Sequence, residues 1–353
     1  MRVLLLSFSP DFGGTLDADL LVSQINYHNH TAMHIGMNDE SLNVPLLVSF
    51  QPDVVSLFYS FRYPQWNTYT INRLLEIFNG RTITLCVCVD MEKGYQSWIL
   101  QQYPSVSYVI SGEGEVAWID FLNRLQYKKS MDGCHNLTYR QDKMIPADTD
   151  TVSCTIVYPQ NLNELPWADK SDIIRKKQKH TIIYATRGCL YSCNFCITQN
   201  TKKKFRERDI VDVVNEMEWA HKQHGIIGFH FNDSVLFNHT PYSLNRLEQF
   251  TSELKKRRLP ILYTANFHPS FILLAPPKAV NDLLNTGLYA VLIGIESGNE
   301  EDLRLYNKYT NTSQNHRALR AWRDTGADYK IGFINMNPYS SFNRLMENGN
   351  FLY

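Results

Sequence analysis

The sequence predicts an α/β protein: a doubly wound parallel sheet over residues 1–126, a linker with a small hairpin over 127–180, and part of a β/α barrel over 181–353. Three observations carry that prediction. Short apolar runs rich in β-branched residues alternate with helix-spaced segments in both halves of the chain. A turn-rich, proline-containing stretch interrupts the alternation once. The length of 353 residues suits two domains.

In the first half, "RVLLLSF" (2–8), "DVVSLFYSF" (53–61), "TITLCVCV" (82–89) and "SYVIS" (107–111) read as buried parallel strands, and "TAMHIG" (31–36) is a weaker candidate. Helical spacing runs through "NTYTINRLLEIFN" (67–79), "KGYQSWILQQY" (93–103) and "EVAWIDFLNRLQ" (115–126). Such strand–helix alternation builds a doubly wound sheet. In the linker, "NLTYRQDKMIPAD" looks like a hairpin and "YPQNLNELPWADKSD" is rich in turn residues.

From residue 181 the alternation resumes. Strands are expected at 181–186, 226–232, 261–267, 289–295 and 329–335. Helices are expected at 209–223, 241–257, 277–286, 300–307 and 313–325, and another starts after 340. Five such units suit part of a β/α barrel, whose chemistry sits at the C-terminal ends of its strands.

Composition excludes several classes. Apolar residues make up 44% and charged residues 20%, as in an ordinary globular protein. Lys+Arg and Asp+Glu are 35 each, so no overall field draws the chain to nucleic acid or an anionic membrane. The basic clusters at 174–180 and 202–208 read as solvated faces. No run approaches the ~20 apolar residues of a membrane span, and the N-terminal run reads as a first strand, not a signal peptide. Seven cysteines without a secretion signal argue for a reducing cytoplasm.

The informative stretch is "ATRGCLYSCNFCITQN" (185–200), where Cys189, Cys193 and Cys196 lie in a C-x3-C-x2-C spacing after a strand. Gly188 lets the chain turn, which puts the thiols in a loop on the catalytic face. Soft thiolates suit an iron–sulfur cluster, and a three-ligand set leaves one iron open. A structural zinc site would need a fourth ligand, for which Cys134, Cys154 and His180 are candidates.

"CLYSCNFC" resembles the C-x3-C-x-aromatic-C signature of the radical S-adenosylmethionine (SAM) superfamily, with Phe195 as the aromatic. The resemblance implies a [4Fe–4S] cluster on the three cysteines, SAM on the fourth iron, and reductive cleavage of SAM to a 5′-deoxyadenosyl radical. It implies further SAM contacts in chain order. Asn232, Asp233 and Ser234 stand where the family commonly has Gly-Gly-Glu to receive the SAM amino group. Glu296 and Ser297 would contact its ribose or methionine part, and Arg206 its carboxylate. Read from the residues alone, Asp233 and Glu296 could equally cap helices, and Arg206 could pair on the surface.

In the first half, "YVISGEGEVAWIDFL" (108–122) has Gly112 and Gly114 in a strand-to-helix turn, with Glu113 and Glu115 at the helix start. As residues this is a well-capped turn. It resembles the "GEGE" segment of the Rossmann-like cobalamin-binding domain fused ahead of many radical SAM enzymes, which would make Ser111, Gly112, Glu113 and Gly114 cobalamin contacts. Two departures stand out: a single Gly94 in "VCVDMEKGYQ", and no D-x-H-x-x-G signature, so no histidine ligand to cobalt is implied.

The resulting expectation is a radical SAM enzyme with [4Fe–4S], SAM and cobalamin as cofactors. It would methylate an unactivated carbon of a small-molecule or peptide substrate, draw electrons from a flavodoxin or ferredoxin, and bind no nucleic acid. Cyclisation, rearrangement, methylthiolation or a truncated non-catalytic binding protein are the alternatives. A methylthiotransferase would carry a second cluster on N-terminal cysteines, whereas Cys86 and Cys88 alternate along one strand. The superfamily barrel usually has six strands and this chain supplies five.

Overall fold

A computed structural model describes the chain except for residues 9–15, 38–41, 61–62, 79–83, 90–94, 141–150, 197 and 199–203; of 84–89 it describes the backbone. Gly94 and part of the basic cluster at 202–208 lie outside the described residues. The chain divides into two compact units, Met1–Gln160 with Glu164–Lys176, and Asn161–Asn163 with Lys177–Tyr353.

The first unit is built on a seven-stranded sheet. Its parallel strands are β1 (Arg2–Phe8), β2 (Thr31–Met37), β3 (Val54–Phe58), β4 (Thr84–Val89) and β5 (Tyr108–Ser111); β6 (Leu137–Arg140) and β7 (Thr151–Ser153) extend it antiparallel. The spatial order is β2-β1-β3-β4-β5-β6-β7. Successive residues of β1 point to opposite faces. Leu4 and Leu6 pack with Trp66, Ile71 and Leu74 on one side. Val3 and Leu5 pack with Leu21, Ile25, Trp118 and Phe121 on the other. Both faces are therefore buried, which is why these strands read as unbroken apolar runs.

Two details depart from the sequence reading. Of the hairpin expected over 136–148, the first arm forms as β6, residues 141–148 lie outside the described residues, and the strand paired with β6 is β7; β6 also pairs with β5, with Tyr108 opposite Tyr139, so much of the expected linker is part of the first unit. Helices at Leu16–Tyr27 and Val44–Phe50 were not anticipated.

In the second unit, β8 (His180–Ile183), β9 (Thr186–Arg187), β10 (Arg206–Glu207), β11 (Gly228–Phe231), β12 (Leu262–Phe267), β13 (Leu288–Glu296) and β14 (Asp328–Phe333) follow in sequence. Five form one all-parallel sheet in the order β14-β13-β12-β11-β8, which fits a partial barrel. The crossover helices start where local chemistry places them. Asp209 accepts from the Val211 and Asp212 amides to cap Ile210–His224, and Gly225 ends that helix at φ +64°. Thr240 caps Pro241–Arg257. The first strand, expected over 181–186, stops at Ile183, because the Ala185 amide turns away to bond the carboxylate of Asp233. The chain then continues as β9, paired antiparallel with β10. Among the described residues no helix is long and apolar enough to cross a membrane.

Candidate active site

The cysteine loop leaves β9 through Gly188, whose φ of +82° suits glycine. The loop is held from both ends. On its entry side, Arg208 donates to the Tyr184 carbonyl (3.0 Å) and to Glu216 (2.7 Å), and Arg246 donates to the Ala185 carbonyl (3.1 Å). Across its middle, the Asn194 amide and side chain donate to the carbonyls of Tyr306 and Leu305, each at 2.9 Å. Asn307 Nδ2 returns a bond to the Ser192 carbonyl, and the Ser192 and Tyr309 hydroxyls are 2.7 Å apart. The Phe195 ring meets Tyr306 edge-on at 5.4 Å.

This brace fixes the segment between Cys189 and Cys196 that carries the three thiols. Cys189 and Cys196 are half-buried and Cys193 is 8% exposed. Burial pushes the Cys189 and Cys193 thiols up, and the neighbouring cysteines push them further; the Lys308 ammonium acts in the opposite direction. Among the described residues no three His, Cys, Asp or Glu side chains could hold a single metal ion.

Lys308 is the residue the sequence reading missed. Its side chain is 5% exposed and its Nζ stands 3.5 Å from Glu296 Oε1. Glu296 itself has φ +69° and sits at a register shift between β13 and β14. Burial raises its carboxyl and Lys308 lowers it. Gly294 makes room for the pair: a Cβ there would lie 2.7 Å from Glu296 Oε1 and 3.1 Å from Lys308 Nζ. No sequence signal marked Lys308, because only the fold brings it to Glu296.

The other expected SAM contacts divide. Asn232 and Ser234 are exposed, while Asp233 between them is fully buried. Asp233 accepts from the Ala185 amide and from Thr186 Oγ1 at 2.6 Å, and desolvation lifts its carboxyl to about 6. It therefore pins the start of the cysteine loop and is not presented to a ligand. Ser297 is likewise fully buried, with its hydroxyl 2.8 Å from Asn348 Oδ1 and 3.3 Å from Asp302. Arg206 lies on β10, 9% exposed, with Nε donating to the Lys204 carbonyl.

In the first unit, Ser111 ends β5, and Gly112 and Gly114 have φ of +75° and +85°. The turn is filled from within its own unit. A Cβ on Gly112 would meet Asn136, Ile156 and Tyr158 at 3.2–3.3 Å, and one on Gly114 would meet Trp118 at 3.2 Å. Asn136 Nδ2 donates to the Ser111 carbonyl, and Gln96 donates to the Ser111 hydroxyl.

Residues 183–347 match the family model of the radical SAM superfamily. The match lies within the second unit and includes the cysteine loop. The chain is 27% identical over 243 residues to the anaerobic magnesium-protoporphyrin IX monomethyl ester cyclase of Rubrivivax gelatinosus, an alignment covering 67% of this chain and 42% of that protein. Its fold matches OxsB, a cobalamin-dependent S-adenosylmethionine radical enzyme solved with aqua-cobalamin and S-adenosylmethionine bound. That match has a TM-score of 0.80 at 19% identity and covers 99% of this chain and 51% of OxsB. It also matches the radical S-adenosylmethionine methyltransferase TsrM of Kitasatospora setae, with a TM-score of 0.76 at 16% identity over 100% of this chain and 71% of TsrM. The chain thus spans about half the length of OxsB and less than half of the cyclase. The radical SAM family implies a [4Fe–4S] cluster and SAM, and the thiol loop fits the cluster by donor chemistry: three soft ligands, largely desolvated, on one braced turn.

Proposed function

We propose that Cys189, Cys193 and Cys196 hold a [4Fe–4S] cluster and that the chain cleaves SAM reductively there, producing a radical that takes hydrogen from a substrate. The observation that carries this reading is the braced loop of three mutually interacting thiols with no fourth cysteine beside them among the described residues. When bound, the cluster supplies one electron to the SAM sulfonium. The protein's own part is positional. Lys308 stabilises the thiolate forms by its charge and neutralises Glu296. The exposed Asn232 and Ser234 offer oxygens to the SAM ammonium. Phe195, 40% exposed on its Tyr306 support, offers a face beside the loop for the adenosyl part. Asp233 and Ser297 serve indirectly, by fixing the loops that carry these groups.

A reductant of the flavodoxin or ferredoxin type completes the reaction. Anaerobic reconstitution tests the proposal: about four irons per chain and 5′-deoxyadenosine formed from SAM under reduction are expected. A protein that binds iron but forms no 5′-deoxyadenosine would refute the catalytic reading.

The finer reading is methylation of an unactivated carbon with cobalamin in the first unit. It is supported by the fold shared with OxsB and TsrM. The Ser111–Gly114 turn does not by itself offer an open cradle, since its glycine faces are packed against Asn136, Ile156, Tyr158 and Trp118. No step is therefore routed through cobalamin. A corrinoid spectrum in the purified protein, and transfer of a deuterated methyl group from SAM to product, test this reading separately.

A further inference from the structure

The turn after β14 carries a side chain that the chemistry above leaves unused. Asn337 donates from Nδ2 to Asp302 Oδ1 at 3.0 Å and to the Tyr306 hydroxyl at 2.8 Å. Its Oδ1 accepts from the Tyr339 amide at 2.8 Å. A backbone N–H can only donate, so the atom meeting Tyr339 is the oxygen, and the nitrogen faces the other two groups. The Asn337 amide donates to Ser340 Oγ at 2.9 Å, and its carbonyl accepts from the Ser340 amide at 3.0 Å. All four polar atoms of this one residue are therefore in use.

Its two side-chain acceptors lead to different parts of the proposed SAM site. Asp302, fully buried in a short helix (Glu300–Leu305), also accepts from Arg344 at 3.3 Å. Its Oδ2 lies 3.3 Å from Ser297 Oγ and 3.4 Å from Asn348 Nδ2. A buried carboxylate needs such donors, and together they make Asp302 a fixed point beside the end of β13. Tyr306 is 4% exposed. Its carbonyl accepts from the Asn194 amide at 2.9 Å, and its ring meets Phe195 edge-on at 5.4 Å. Asn194 and Phe195 lie between Cys193 and Cys196.

We infer that Asn337 is a positioning residue for SAM: by tying the Tyr306 hydroxyl to the fixed Asp302, it sets where Asn194 and Phe195 of the cysteine loop stand relative to Glu296 and Ser297. The inference rests on the reading that SAM binds at these groups. None of the Asn337 hydrogen bonds goes to a thiol or to a group offered to SAM, so its action runs through Tyr306 and Asp302. An aspartate of the same shape could not replace it, because it would set a second carboxylate against Asp302 and donate to neither partner.

Two anaerobic measurements test the inference: hydrogen exchange on the cluster-free chain, and 5′-deoxyadenosine kinetics with dithionite on the reconstituted chain. In N337A the Asn194 amide should exchange about tenfold faster, while the Val211 amide, bonded to Asp209 at a helix start of the same unit, keeps its parental rate. The KM for SAM should rise about five- to tenfold with kcat and iron content little changed. Y306F removes the hydroxyl that Asn337 reaches, so it should raise the KM by a similar factor and add nothing in the N337A background. N337D should bind SAM no better than N337A. An unchanged Asn194 exchange rate in N337A would overturn the inference. So would a lowered melt with the KM for SAM unchanged, or effects of N337A and Y306F that multiply in the double variant. If the parent forms no 5′-deoxyadenosine, the proposed function fails instead, and the exchange comparison decides the role of Asn337.

Discussion

The Ser111–Gly114 turn leaves the parallel strand β5 and the cysteine loop leaves the short antiparallel strand β9, and both were marked by glycines and a short motif. The structure treats them differently. In the turn, the glycines and the serine are used by the unit itself: positive φ explains Gly112 and Gly114, and Asn136 and Gln96 satisfy the backbone and hydroxyl of Ser111. In the loop, the backbone is equally well braced, yet three thiols and an ion pair remain that the brace does not use. Glycines and a serine that local structure already uses need no ligand to explain them. A motif whose reactive groups are left over does need one.

The sharpest way to test that contrast is to remove the leftover groups. Cys189→Ala, Cys193→Ala and Cys196→Ala should each abolish 5′-deoxyadenosine formation and most cluster incorporation, measured by iron content and visible absorption. The brace should survive, so melting of the cluster-free protein should change little. Next in size is K308M, which strands the buried Glu296 carboxylate. Loss of one partner of a buried pair costs about 3–5 kcal/mol. Denaturant unfolding should show that loss, and the K308M/E296Q double variant should recover much of it.

Asp233 gives a pH signature. Its carboxyl is raised in the folded state to about 6 from 3.8, so the folded protein binds the extra proton. Its contribution is fully present below about pH 4 and is lost as pH rises toward 6, by up to about 3 kcal/mol. Urea unfolding across that range should show stability from this group falling with rising pH, and D233N should remove that part of the slope. The smallest effect belongs to the turn. G112A should destabilise by about 1–2 kcal/mol through its left-handed φ and its contacts, and leave 5′-deoxyadenosine formation intact. A large loss of that activity in G112A, with stability kept, would break the comparison.

Much of the fold was legible because strands write themselves as apolar runs: "RVLLLSF" is buried on both faces, and "YAVLIGI" is apolar although its burial alternates. β6 was legible as one arm of a hairpin but neither its partner β7 nor its place in the first sheet was, since antiparallel addition to β5 depends on pairing that leaves no periodicity. The three cysteines were legible because their spacing lies within one loop. Asp233 was legible as important but not in its role: a carboxylate at a strand end reads alike whether it faces a ligand or the Ala185 amide. Lys308 and Asn307 were invisible, because their meaning comes from a contact across more than a hundred residues to Ser192 and from the bulge that turns Glu296 inward.

The central claim is that the thiol loop holds a cluster with one iron open to SAM. Electron paramagnetic resonance of the reconstituted, reduced chain tests it most directly, recorded with and without SAM. A [4Fe–4S] signal whose g values move when SAM is added is the predicted result. A cluster signal that SAM leaves unchanged would contradict it.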